Sequence, residues 1–285
     1  MNEKKIGRFR ASYLLAAESF EFLRKDKEML WVPLMSCAAS FILAAAVIGL
    51  GFTYILMFEN VSPQTDDAIF YVFLFLFYIG ATFIFTFFQG VIAAMVHIRV
   101  GGGDPMLSDG LANSLKRTGK IFRWSVVAAT VGVVLNLIQE KLGWLGRILG
   151  FAGSVAWSVL TFFMVPVLVL EEGTIKGSLE RSGRLFREAW GETLVMNFSL
   201  SLFFTALHLV WIVLCGVIVF FSADSLAALI PVGIAFLAGF ILLAVVGSVL
   251  SAIFKTVLYE YASSGRVPDT FTPELIMGAV KKKGA

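Results

Sequence analysis

The sequence predicts an all-α integral membrane protein with six transmembrane helices. They are arranged as three parallel helix–hairpin repeats, each preceded by an amphipathic interfacial helix. Three observations predict this. The chain of 285 residues is 58% hydrophobic and only 15% charged, with a mean hydropathy of +0.86, whereas a soluble domain is about 45–50% apolar and about 25% charged. Six long stretches carry almost no charge, and about 20 residues suffice to cross the hydrocarbon core. Finally, Ser114-Leu-Lys-Arg-Thr-Gly-Lys-Ile-Phe-Arg123 returns 64 residues later as Ser178-Leu-Glu-Arg-Ser-Gly-Arg-Leu-Phe-Arg187, with six of ten positions identical. Each copy is a short basic segment leading into an apolar run, an order that lays a helix in the headgroups before the chain turns inward.

The chain begins with an apolar seam, Ile6, Phe9, Tyr13, Ala16, Phe20 and Leu23, spaced three or four apart. That spacing is one face of a helix, expected on the cytoplasmic surface. Residues 1–28 hold no uninterrupted apolar core, so no cleavable signal peptide is expected. The uncharged spans then run 29–58, 69–98, 124–139, 148–170, 193–221 and 226–254. Pro33 falls in the first turns of the first span, where a missing N–H costs least. The third span has only 16 uncharged residues, and Arg123 is expected to snorkel to help it cross.

Charge sets the orientation. Of the 23 Lys and Arg residues, 21 lie before the first span, between the second and third, between the fourth and fifth, and after the sixth; only Lys141 and Arg147 lie opposite. The positive-inside rule therefore places both termini in the cytoplasm of a plasma-membrane protein. The chain reads as one membrane domain, 1–285, with repeats at 12–98, 111–170 and 176–262. All three hairpins share one orientation, so a repeat axis would run along the membrane normal. The alternative is that interfacial helices before membrane spans converge on Ser, Leu, Arg and Phe.

The central block contains Ser108-Asp-Gly-Leu-Ala112, Trp124, Ala129-Thr-Val-Gly-Val133, Glu140, Gly143, Arg147, Gly150 and Trp157-Ser158. It continues through Thr161-Phe-Phe-Met-Val-Pro-Val167, Glu171-Glu172-Gly173, Ser178-Leu-Glu-Arg-Ser182 and Trp190-Gly191. In these residues the chain resembles a family of uncharacterised prokaryotic multi-pass membrane proteins, a domain of unknown function. Leu23-Arg-Lys-Asp-Lys-Glu28 with Pro33, and Leu258-Tyr-Glu-Tyr-Ala262 with Gly265 and Pro268, extend the resemblance toward both ends. The family implies the architecture and no activity. The chain is also similar to the non-catalytic, membrane-embedded part of some glycerophosphodiester phosphodiesterases.

Catalytic signatures are missing: there is no Gly-x-Ser-x-Gly elbow, His-Glu-x-x-His or phosphate-binding loop. Asp109-Gly110-Leu-Ala112 resembles the start of a lipid alcohol-phosphotransferase signature, but no carboxylate follows until Glu140, too far to build a metal site. Cys37 and Cys215 lie inside spans and offer neither a disulfide framework nor zinc spacing. No cofactor and no nucleic-acid partner are expected. The expected partners are the bilayer, anionic headgroups at the cytoplasmic face, and a second copy or another membrane protein.

Polar residues inside the spans mark the candidate site. Thr82, Thr86, Gln89 and His97 fall within about 80° on one helix, and Asn197, Ser201, Thr205 and His208 do so on another. Polar groups in hydrocarbon are costly unless satisfied, so the two stripes are read as lining a pocket between the second and fifth spans, or as interhelical hydrogen bonds. Glu171 and Glu172 form an ion-pair or cation cluster with Lys176, Arg181 and Arg184 nearby. Gly143, Gly146, Gly150 and Gly153 allow a neighbouring helix to approach closely. Lys255 and Glu260 are expected to snorkel. The favoured function is non-enzymatic binding of lipid, a small solute or a membrane partner. The alternative is a transporter or channel using the stripes, and a membrane-embedded enzyme comes third.

Overall fold

The computed structural model describes residues 8–57, 63–141, 143–188, 192–221, 226–266, 268, 270 and 271. Within these ranges the side chains of residues 8–13, 15, 16, 55, 63–67, 192–202, 221 and 226–229 are left out of the account. The regular structure is helical throughout, in the order α1 (Arg8–Lys25), α2 (Trp31–Met57), α3 (Pro63–Val100), α4 (Leu107–Lys116), α5 (Thr118–Lys141), α6 (Gly143–Leu160), α7 (Met164–Leu170), α8 (Ile175–Glu188), α9 (Glu192–Phe221) and α10 (Leu226–Ser264). Six stretches are long and apolar enough to cross a membrane: Lys27–Tyr54, Ala68–Val100, Thr118–Lys141, Gly143–Leu170, Phe203–Phe220 and Ile230–Ser264.

Local chemistry explains where the helices break. Pro33 lacks the N–H that would bond the Met29 carbonyl, and the chain enters α2 through a single 3₁₀ turn, Lys27–Leu30. Pro166 likewise cannot donate to Phe162, and the fourth span is interrupted at residues 161–163 between α6 and α7. The hydroxyl of Ser182, on α8, accepts the freed backbone N–H of Phe163 at 3.1 Å. Gly102, at a φ of +85°, follows α3 in the left-handed conformation that closes a helix C-terminus.

The third span is longer than the charge pattern implied. α5 begins at Thr118, whose hydroxyl bonds the Leu115 carbonyl at 2.8 Å and so competes with the helical ladder. The first copy of the repeated decapeptide is therefore divided at Arg117, whereas the second lies entirely within α8. Ile121 and Leu185 are both fully buried, but Phe122 is 52% exposed and its counterpart Phe186 is 1% exposed. Among the described side chains of α1 the buried ones are Ser19, Phe22 and Leu23, while Phe20, assigned to the seam, is 48% exposed. Ile6 lies outside the described residues.

The spans pair as α2 with α3, α5 with α6, and α9 with α10. α3 is the hub, packed against α2, α4, α5, α7 and α10. Each short helix sits on a different pair: α4 on α3, α8 on α6 and α7, and α1 on α9 and α10. The main core gathers Phe22, Met29, Met95, Phe163, Phe186, Phe254 and their neighbours. A smaller one centres on Ile121, Trp124, Met164 and Leu168, with Trp124 stacked on Trp157 at 5.6 Å. Both lie toward the end of the bundle where α4, α8 and the charged loops meet. Away from that end the helices present Phe41, Ile48, Phe70, Phe151, Val210 and Leu242 outward.

Gly150 and Gly153 of the glycine stripe on α6 seat a neighbour, whereas Gly143 has nothing within 4 Å. A Cβ on Gly150 would meet the Gln139 side chain at 2.1 Å, and one on Gly153 would meet Leu135 at 2.8 Å. Gly150→Val is expected to destabilise the protein by about 1–3 kcal/mol through overpacking. Gly216, with nothing within 4 Å, should accept Val with little change. Thermal unfolding in one detergent compares the two.

Candidate functional site

The charged end is held by four sets of contacts between elements distant in sequence. Asp26, in the junction between α1 and α2, has a side chain only 3% exposed. Arg99, at the end of α3, grips it with two nitrogens, Nε donating to Oδ2 at 2.8 Å; its guanidinium also reaches the exposed Asp104. The neighbouring Glu28 accepts the backbone N–H of Leu107 at 2.8 Å, and Asp109 accepts that of Met106 at 3.0 Å. Those two bonds cap the start of α4.

Glu260 departs from the snorkelling expected of it. It is 3% exposed, and its Oε1 lies 2.6 Å from His97 Nδ1. Packing of α3 against α10 withdraws the carboxylate from solvent, and the imidazole supplies its partner. Lys255 lies with Nζ 5.5 Å from the centroid of the Phe162 ring, a cation–π geometry.

The Glu171–Glu172 turn after α7 is where sequence and structure meet most directly. Glu171 Oε1 accepts from Arg181 Nε at 3.1 Å and from the Tyr259 hydroxyl at 2.9 Å, while its backbone carbonyl accepts from Lys120 at 3.0 Å. Glu172 pairs with Arg117 at 2.6 Å. The hydrogen bond from that guanidinium holds the Glu172 carboxyl below its ordinary value and raises the Arg117 pKa in return. Lys176 pairs instead with Glu180, one turn along α8. Glu171, Glu172, Gly173, Gly177, Ser178, Arg181 and Arg184 then enclose a cavity of about 370 Å³ over Val167. Two cations, Arg181 and Arg184, and two carboxylates line it; Arg117 and Lys120 hold the two glutamates of the turn from outside that lining. Arg184 makes no ion pair among the described residues. Ser178, only 3% exposed, has no hydrogen-bond partner for its hydroxyl.

The two polar stripes take different neighbours. On α3, Thr82 bonds the Tyr78 carbonyl of its own helix at 2.7 Å, Thr86 is buried, Gln89 is half-buried, and His97 meets Glu260. On α9, Thr205 and His208 line a second cavity, of about 220 Å³, whose other wall is α10. The principal neighbours of α9 are α10 and α1 rather than α3. The side chains of Asn197 and Ser201 lie outside the described residues. Among the described residues no group of three His, Cys, Asp or Glu side chains is placed to hold a metal ion.

Sequence reading missed Asp26–Arg99, Arg117–Glu172, Tyr259–Glu171 and the Glu28 cap. Asp26 stands within the charged run Arg24-Lys25-Asp26-Lys27-Glu28, and nothing in that run marks which of its carboxylates is buried.

Six apolar stretches on an all-helical frame, tied together at one charged end, define a multi-pass membrane protein. The chain belongs to a family of unknown function (DUF6159), which it matches over residues 68–269. Helices α1 and α2, with the Leu23–Glu28 block, precede the matched segment. No curated protein matches the chain.

Removing one partner of a buried ion pair strands the other. Asp26→Asn is expected to cost about 2 kcal/mol in thermal unfolding, less than a fully buried pair would because a quarter of the Arg99 side chain is exposed. Asp104→Asn, at the 91% exposed partner, should be near neutral. The Arg117–Glu172 pair contributes stability above the ordinary carboxylate pKa and loses it as pH falls through the lowered one. The wild-type chain and Glu172→Gln should therefore converge in melting temperature as pH is taken down through that range.

Proposed function

We propose that this protein is a non-enzymatic membrane protein of the prokaryotic plasma membrane, with both termini cytoplasmic, that binds anionic lipid at its cytoplasmic face. The observation that carries this reading is the cavity at the Glu171–Glu172 turn. Both of its carboxylates are already engaged, Glu171 by Arg181 and Tyr259 and Glu172 by Arg117, which leaves the Arg184 guanidinium to attract a phosphate group. Among the described residues Arg184 has no ion pair and the buried Ser178 hydroxyl has no hydrogen-bond partner. A cavity of about 370 Å³ falls within the size of small-molecule sites, so it accepts a headgroup while the acyl chains remain in the bilayer. The skewed distribution of Lys and Arg supports the orientation.

The same end of the molecule supports the repeat reading. α4 sits on the first helix pair, α8 on the second and α1 on the third, one short helix to each pair. α1, α4 and α8 bury Ser19, Ser114 and Ser178 respectively, small residues that let a short helix lie close against a span. We read them as amphipathic helices at the cytoplasmic interface. The transport reading has less support, because Phe22, Met95, Phe163, Phe186 and Phe254 fill the bundle at its charged end.

Native mass spectrometry of the gently purified protein, with phosphatidylglycerol and phosphatidylcholine added in equal amounts, tests the lipid reading. Phosphatidylglycerol should be retained preferentially, and Arg184→Gln should reduce that preference about fivefold, the worth of one basic residue near a lipid surface. Equal retention of both lipids would overturn it. The orientation has its own test, in a chain whose two native cysteines have been replaced. Ser108→Cys should resist an impermeant maleimide applied to intact cells and react in inside-out vesicles.

A further inference from the structure

We infer that the slot between α9 and α10 binds the hydroxyl group of an uncharged lipid, of the diacylglycerol type. This site is separate from the charged cavity and rests on different residues. The two helices are fitted together ring into glycine. A Cβ on Gly247 would meet the Phe204 ring at 3.1 Å, and one on Gly239 would meet the Trp211 indole at 2.3 Å. The Trp211 N–H donates to the Phe236 carbonyl at 3.1 Å. His208 stands between these two contacts, its ring 4.8 Å from that of Phe240, and opens into the cavity of about 220 Å³ with Thr205, Ser248 and Ser251.

Hydrogen-bond accounting defines the ligand. His208 Nδ1 lies 2.7 Å from the Phe204 carbonyl oxygen. A carbonyl only accepts, so Nδ1 carries the proton. In the neutral ring Nε2 is then an acceptor with a free lone pair. The Ser248 hydroxyl donates its proton to the Val245 carbonyl at 3.0 Å, which leaves its oxygen able only to accept. Ser251 has no hydrogen bond among the described residues. No charged residue lines the cavity, so an imidazolium would stand there without a counter-ion, in a segment apolar enough to span the membrane. His208 Nε2 and the Ser248 oxygen accept, while the Ser251 hydroxyl can donate, so the slot suits a group that both donates and accepts. A phosphate is excluded for want of cations, and an ester or ketone could accept a hydrogen bond from Ser251 but would leave the His208 acceptor unmet. A hydroxyl satisfies it.

Size and position narrow the class. A cavity of 220 Å³ holds roughly seven waters' volume at about 30 Å³ each, enough for a glycerol head but not for its chains. Thr205 and Ala244 are exposed at its mouth, and Leu209, Val210, Ile241 and Leu242 nearby are exposed apolar side chains. An amphiphile in the bilayer can insert its head sideways and leave its tails in lipid.

The test uses the full chain in lipid nanodiscs with ¹⁵N-labelled histidine. The chain has two histidines, so either His208→Phe or His97→Gln assigns the His208 signals, and failure of one variant to fold leaves the other. Adding 1,2-dioleoylglycerol should shift the unprotonated Nε2 resonance, and its 3-O-methyl ether, which keeps the shape and loses the proton, should not. In competition against a photoreactive diacylglycerol, the ether should be about tenfold weaker, a hydrogen bond's worth. Ser248→Ala should weaken capture of the diacylglycerol with the fold retained. A shift of equal size from the ether, or no shift from either molecule with only water exchanging at Nε2, overturns the proposal. Neither outcome bears on phosphatidylglycerol at Arg184.

Discussion

Seven residues of α3, Gly90 to Val96, are buried to the last atom or nearly so, and the charged end of the bundle is assembled around them. Close approach there depends on missing side chains. A Cβ on Gly90 would meet Val169 at 2.7 Å, and one on Gly110 would meet the Val91 carbonyl oxygen at 2.8 Å. Those two glycines bring α7 and α4 onto α3 at near-backbone distance, where dispersion contacts are most numerous. The next residues of α3 then carry the connection outward. His97 takes Glu260 from α10 and Arg99 takes Asp26 from the start of the first span. A slight displacement of α3 would break both, so packing and electrostatics here are one constraint.

Much of the architecture was legible because hydropathy has to be continuous over a membrane-sized length. Charge marked the beginnings and ends of the spans to within a few residues for α2, α3 and α9. Legibility failed where a partner far along the chain decides the local geometry. Pro166 is visible in the sequence, but the interruption at residues 161–163 also needs Ser182 to receive the Phe163 N–H. The division at Arg117 has no proline to announce it, only a threonine hydroxyl bonding backward. The two decapeptides are alike in sequence and unlike in setting, since one starts a span and the other rests on one.

The candidate site shows the same limit more sharply. Periodicity places Thr205 and His208 on one face of a helix and Thr82, Thr86 and Gln89 on one face of another; it contains nothing about which helix each face meets. α9 meets α10, whose Gly239, Gly247, Ser248 and Ser251 carry no conspicuous pattern. The Glu171–Glu172 cluster was legible in part, because Arg181 is a near neighbour in sequence. Arg117 and Tyr259 come from elements 55 and 88 residues away and could not be read locally.

The uneven distribution of internal packing follows from the solvent on each side. In the hydrocarbon region lipid tails cover apolar side chains about as well as another helix does, so there is little drive to bury Phe41, Val210 or Leu242 inside the protein. At the charged end, loops, helix termini and carboxylates meet water and headgroups, and a charged group left between helices is costly without a partner. The chain accordingly concentrates its large buried side chains and its ion pairs there. A polar group kept within the apolar half is then the exception that calls for a reason. Among the described residues His208 has no ion pair, and one of its ring nitrogens is already committed to the Phe204 carbonyl of its own helix. What remains is a single acceptor facing a slot that opens toward the lipid.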